Sequence, residues 1–249
     1  MTKAFFVLLK REISSMAGSP IAYIMLVVMS LFTLFVIYGA AVNLEQTSQM
    51  NILQLIFRSL PIWFPILIMS PLITMGLFAE EYKTGTIEML MTAPVTDLDV
   101  VLSKFSAAVI FYSALWIPAW IDVIVFQVLT DGAAPIHLAH YILTYVMLIL
   151  LGMFFGSMGL FLSSLTRSQL LAAFLSVISI LVIFFIGLLR YQTTDPFVED
   201  LLGYILIIQH MIIFSEGVVD SRPFIFYLSS TLLFLALTQR VLAVKRLKA

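Results

Sequence analysis

Asp122 is the one carboxylate inside an apolar run long enough to cross a bilayer, in the stretch "WIPAWIDVIVFQ". A charge at such depth faces a partner or water and marks a functional position by default, a proton carrier being one use of it. Thr130 follows eight residues later, about 12 Å along a helix, with Trp116 and Trp120 close by, so snorkelling to the outer interface and pairing with a neighbouring helix are the alternatives. The three histidines offer less: "HLAH", with His137 and His140, lacks the carboxylate of a zinc-protease motif, and His210 stands by itself. No metal site is expected. Ser157 and Ser163, in "FGSMGLFLSS", have the look of an intramembrane serine hydrolase, but Gly152, Gly156 and Gly159 at helical spacing are what close packing between helices in lipid requires. Lys83 is the only lysine followed by Ser or Thr, and Tyr82 precedes it where a phosphate-binding loop needs glycine. The chain therefore carries no nucleotide site of that type, and no catalytic residue is expected.

The elements that hold these residues are set by composition. Of 249 residues, 62% are hydrophobic and 11% charged, with mean hydropathy +1.11, far from the roughly 25% charged of soluble domains. The fold class is all-α integral membrane, a single domain over 1–249 with no room for a soluble enzyme. Without cysteines there is neither a disulfide framework nor a thiolate ligand. Six stretches are apolar enough to span about 30 Å of hydrocarbon: Ile21–Val42, Leu60–Ala79, Phe105–Thr130, Tyr141–Leu165, Leu170–Leu189 and Phe224–Val244. Pro61, Pro65 and Pro71 are expected to kink the second or start it late. A seventh run, Leu201–Phe214, is short and reads either as a re-entrant helix or as an amphipathic surface helix. The start, "MTKAFFVLLKREISSMAGSP", lacks a signal-peptide cleavage site and reads as retained.

Basic residues decide between these. With six spans, Lys3, Lys10, Arg11, Lys83, Lys104, Arg167, Arg240, Lys245, Arg246 and Lys248 share one side, leaving Arg58, Arg190 and Arg222 on the other. The positive-inside rule then places both termini in the cytoplasm. A full crossing by Leu201–Phe214 would send the basic tail outside, so that run is expected to dip into the outer leaflet without spanning.

Two amphipathic segments flank the first spans. In 3–16, Phe5, Leu9, Ile13 and Met16 lie opposite Lys3, Lys10 and Arg11, as in a helix lying in the headgroups. Gly18, Ser19 and Pro20 supply its end, the next cap and the next first turn. Between spans two and three, "FAEEYKTGTIEMLMTAPVTD" places Ile87, Leu90 and Met91 at i, i+3 and i+4, making a short helix that Gly85 opens and Pro94 stops. Thr96 and Asp97 are caps for the helix that climbs into span three. A simple connector needs only a few polar residues. This elbow instead reads as an apolar knob fit for a groove in a partner, or as a helix lying on lipid.

These residues resemble a known family. "LFAEEYKTGTIEMLMTAPVTDLDVVLSKF" is similar to the loop of ABC-2 type transporter permeases, with its acidic pair, basic residue, (S/T)-G-T-(I/L)-E-x-L turn and A-P stop. "SPIAYIMLVVMSLF" and "HMIIFSEGVVDSRPFIFYLSSTLLFLALT" resemble the branch with gliding-motility-associated permeases. The resemblance runs from about Met16 to Thr238. It implies a six-helix subunit with an amphipathic connecting helix, a re-entrant helix between spans five and six, and a coupling helix seated on a separate ATPase subunit. The implied contacts are Glu80, Glu81, Lys83, Thr84, Gly85, Thr86, Ile87, Glu88, Leu90, Met91 and Pro94, while Tyr82 stands where arginine is common. It further implies two ATPase subunits that bind ATP and Mg, a second permease copy or paralogue, a bacterial cytoplasmic membrane, and motion of spans one, two and five. No cofactor in this chain and no nucleic acid are expected; lipid and periplasmic or accessory proteins are further partners. The expected function is ATP-driven export. The alternatives are a non-transporting mechanotransmitter acting on periplasmic partners and a secondary transporter using Asp122. Glycine-rich faces with few buried charges favour a hydrophobic or amphipathic substrate, but an oligosaccharide or protein segment would also fit a dimer seam.

Overall fold

The computed structural model describes residues 3–44, 51–129 and 138–246, apart from the side chains of 43, 44 and 91. All regular structure among them is helical, as hydrocarbon demands of a chain whose backbone groups must pair within their own segment. Helix α1 (Lys3–Ala17) is the amphipathic one, and the Ser19 hydroxyl accepts the Ile21 N–H at 3.3 Å where α2 (Pro20–Leu44) begins. There follow α3 (Ile52–Arg58), α4 (Trp63–Thr74), α5 (Gly76–Thr84), α6 (Thr86–Thr92), α7 (Asp97–Leu115) and α8 (Ile117–Leu129). The remainder is α9 (Leu138–Leu165), α10 (Gln169–Leu188), α11 (Pro196–Gly203), α12 (Ile207–Ser215) and α13 (Ser221–Arg246).

Among the described residues, six segments are long and apolar enough to cross a membrane: Pro20–Val42, Trp63–Thr84, Asp97–Leu129, Leu138–Leu165, Gln169–Gln192 and Ser221–Arg246. The second starts late, as its prolines require, but continues to Thr84 rather than stopping at Ala79. The third is broken at Trp116, which the sequence reading did not anticipate. Pro118 has no N–H to give to the Ala114 carbonyl, and its ring crowds that position; Trp116 closes the helix instead by donating to Ser113 O at 3.2 Å. The expected end of this span, Thr130, and His137 lie outside the described residues.

Helix α9 is the central post, packed against α4, α7, α10, α12 and α13. A Cβ on Gly152 would meet the Tyr112 ring, and one on Gly159 would meet Thr74 Oγ1; one on Gly156 would meet nothing within 4 Å. The packing glycines are therefore the i, i+7 pair, and Gly156 is not one of them.

The run read as a single helix over Leu201–Phe214 is two, α11 and α12, bent by 66°. Asp195 caps α11 through Phe197 N at 2.9 Å. The Arg190 guanidinium straps both halves, donating to Gln209 of α12 and to Glu199 of α11 (3.4 Å). A Cβ on Gly187 would crowd the backbone of Ile205 and Leu206, so this glycine brings α10 against the break. Helix α3, not foreseen, packs on α12 and carries a reciprocal cap: Asn51 Oδ1 accepts Gln54 N at 2.9 Å while Gln54 Oε1 accepts Asn51 N at 3.2 Å.

Candidate functional site

The elbow begins with a break at Met75 inside the second span. Between α4 and α5 the N–H groups of Phe78 and Ala79 leave the helical ladder and donate to Ser163 Oγ at 3.2 and 3.1 Å. That hydroxyl donates in turn to Met75 O at 2.9 Å. Ser163 on α9 thus satisfies the backbone groups freed at the break, and Gly159 one turn earlier lets α9 come close enough. A serine read as a possible nucleophile is a structural bracket. Ser157 is likewise fully buried and donates to Phe154 O at 2.8 Å.

Gly85 joins α5 to α6 with φ at +75°, a left-handed conformation that a Cβ penalises. Ala93 leaves α6 in extended geometry ahead of Pro94, and the Thr96 hydroxyl accepts Asp99 N at 3.1 Å to open α7. Helix, turn, short helix and stop thus lie where the sequence put them. The orientation of α6 differs from that reading. Ile87 and Leu90 are buried in one cluster with Leu77, Phe78, Val101, Phe105 and Leu160, each burial contributing on the order of 2 kcal/mol. The apolar stripe therefore fastens the elbow to its own bundle. The surface offered outward consists of Glu80, Lys83, Thr84, Gly85, Thr86, Glu88 and Pro94, together with Met89, 75% exposed and absent from the sequence reading. The Met91 side chain lies outside the described residues.

Behind the elbow sits a four-charge network that joins three helices. Lys104 of α7, 2% exposed, places Nζ 2.8 Å from Glu81 Oε1 of α5 and 3.1 Å from Glu12 Oε1 of α1. Arg11 Nη2 closes the ring at 2.6 Å from Glu12 Oε1 and 3.2 Å from Glu81 Oε1. Two positive and two negative charges leave it formally neutral, which is the condition under which a buried ion group is tolerated. Burial alone would raise the Glu12 carboxyl, but Lys104 and Arg11 outweigh it and hold that group below the usual carboxylate range. Glu81, expected as a contact for a partner, is here spent inside the chain, its side chain 16% exposed.

A second clamp comes from the end of α13. Lys245 Nζ lies 3.8 Å from the Tyr82 ring centre and donates to Ser164 O at 2.7 Å. Arg246 pairs with Asp97 at 2.8 Å and donates to Val95 O at 3.2 Å. Tyr82, where arginine is common in the resembled loop, serves as the aromatic face for a lysine of the same chain. Helix α1 and the end of α13 thus both hold the elbow.

Compared with known families, residues 6–249 match the one described as ABC-2 family transporter protein. The chain belongs to the ABC-2 transporter family. It is accordingly a multi-pass membrane permease without catalytic activity of its own, and ABC-2 permeases work with ABC ATPase subunits. No curated protein matches it.

In this ABC-2 permease Asp122 is not at the elbow. It lies at the seam of α8 and α2, where Thr33 donates to its Oδ2 at 2.9 Å. The pairing alternative for that carboxylate thus has a named partner. Glu12, Lys104, Met89, Lys245 and Arg246 are the residues that sequence reasoning missed. One signal was available: Glu12 is the only acidic residue in the basic amphipathic helix.

Proposed function

We propose that this ABC-2 permease is the membrane-spanning subunit of an exporter, passing ATP-driven motion of a separate ATPase pair through the elbow into its spans. ATP and Mg bind the ATPase subunits, and a second permease copy or paralogue completes the pathway. Closure of the ATPases acts on the polar tip of α5–α6, and differential contacts in the two states tilt spans one, two and five. The observation that carries this reading is an exposed polar tip on an elbow braced by Lys104–Glu12–Glu81 on one side and Lys245–Tyr82 and Arg246–Asp97 on the other. A push on such a bracket moves α1, α5, α7 and α13 together.

The elbow end is the cytoplasmic end, with both termini there. Its surplus of Lys and Arg favours that orientation, the other end carrying Arg58, Arg190 and Arg222. The membrane is the bacterial cytoplasmic one, and the proposed kinship is with the gliding-motility-associated branch, on the two stretches at the start and the tail that resemble it. The test is co-purification and ATP turnover. Glu88→Ala with Met89→Glu on the tip should abolish permease-stimulated ATP hydrolysis while leaving the subunit folded. Full stimulation by that double variant would overturn the role given to the tip, and transport that follows the proton gradient and survives ATP depletion would replace this reading with the secondary transporter using Asp122.

A further inference from the structure

At the elbow end, a cavity of about 980 Å³ opens between α1, the starts of α2 and α10, and the α5–α6 elbow, at the upper end of small-molecule site volumes. Its walls change character with depth. Of its lining, Arg11 and Glu80 are exposed and Gln169 half-buried, while the apolar Met25 is buried and Leu72 and Phe111 half-buried; Glu12, Glu81 and Lys104 of the charge network line it as well. Phe111 lies seven residues beyond Lys104, about 10 Å farther into the apolar layer at helical rise. A polar mouth over an apolar bore of that depth matches an amphiphile held upright, headgroup at the mouth and hydrocarbon within.

The charges at the mouth narrow the headgroup. Glu80 is exposed and enters no ion pair among the described residues. Arg11 lines the cavity, is 53% exposed and uses Nη2 toward Glu12 and Glu81, which leaves Nη1 and Nε without a partner among the described residues. A carboxylate and a guanidinium on adjoining walls complement one cation and one anion on the same headgroup. Phe111 is the one aromatic residue in the lining, on α7 rather than on the Glu80 helix, and a carboxylate favours an ammonium that carries N–H donors over a trimethylammonium, which prefers an aromatic face. We infer that this cavity binds a zwitterionic lipid of the elbow-side leaflet bearing a primary ammonium and a phosphate, the ammonium at Glu80, the phosphate at Arg11 and an acyl chain along Met25 and Phe111. The site belongs to the permease alone and does not depend on ATP coupling.

Gly76 provides the test, because a Cβ there would stand 3.4 Å from Glu80 Oε2 and 3.6 Å from Gln169 Nε2, facing the mouth without collision. Purified permease without any ATPase is titrated with dioleoyl phosphatidylethanolamine, phosphatidylglycerol and phosphatidylcholine and weighed by native mass spectrometry. One phosphatidylethanolamine should be retained at least fivefold more tightly than either other lipid. Gly76→Ala should keep that preference, Gly76→Phe should lose it, and Glu80→Lys should bring phosphatidylglycerol to parity or above. Glu80→Lys changes charge at an exposed position and so reads the headgroup even if Gly76→Phe fails to fold. Equal retention of the three lipids, a wild-type preference for phosphatidylglycerol, or preference unaltered in Glu80→Lys would overturn the inference. So would a dimer mass from which lipid is excluded, which would give the cavity to a second copy.

Discussion

Lys104→Met should release α1 from the elbow. The substitution keeps the length of the side chain but removes an ammonium held 2.8 and 3.1 Å from two carboxylates whose side chains are only 16% and 11% exposed. Stripping one partner from a buried ion pair costs about 3–5 kcal/mol. Arg11 stays behind at 2.6 and 3.2 Å and partly compensates, so the loss should fall near 2.5–3 kcal/mol, roughly a hundredfold in the docking equilibrium. Hydrogen exchange in lipid nanodiscs reads this directly. Amides of α1 and α5 should exchange about a hundredfold faster in the variant, while those of α12, at the far end, should not change. The double variant Lys104→Met/Glu81→Gln restores neutrality, leaving Arg11 opposite Glu12, and should recover at least half of the lost protection on a logarithmic scale. A change in α1 of less than threefold, or a double variant worse than the single one, would refute the idea that charge balance holds this helix.

The same network has a pH signature. Because the Glu12 carboxyl is held below its ordinary value by Lys104 and Arg11 against the push of burial, its contribution is complete above the unfolded value of about 4.3 and disappears only as pH falls through the lower native one. Protection of α1 should thus be level from pH 7 to 5 and fall below about 4; a fall centred near pH 6 would contradict the assignment. In α9, Gly152→Ala and Gly159→Ala should each cost about 1–3 kcal/mol through overpacking against Tyr112 and Thr74. Gly156→Ala should be neutral, and thermal stability in detergent ranks the three. Ser163→Ala strips the partner from Phe78 N, Ala79 N and Met75 O and should destabilise by about 1–3 kcal/mol. A serine-reactive probe should leave wild-type Ser163 unlabelled, and labelling would reopen the hydrolase reading.

Local chemistry made much of the elbow legible. Gly85, Pro94 and Thr96 each dictate backbone geometry within a few residues, so turn, stop and cap fell where the sequence put them. Thr86–Thr92 was readable as a helix from its spacing, but not the direction its stripe would face, since 3.6-residue periodicity gives a face and not what covers it. In a chain surrounded by lipid, an apolar stripe is satisfied equally by a partner, by hydrocarbon or by the same chain. Only the packing of Ile87 and Leu90 on Phe78 and Val101 decided among them.

The sequence by itself determined the membrane class, the six spans, the amphipathic start and the position of the elbow, because hydropathy, proline and glycine act over one helix or less. Tertiary structure decided what joins them. Glu12, Glu81 and Lys104 lie 69 and 23 residues apart in succession, and Lys245 stands far down the chain from Tyr82. A pairing of charges across such separations leaves no periodic trace, and it exists only once α9 has brought the helices around it together.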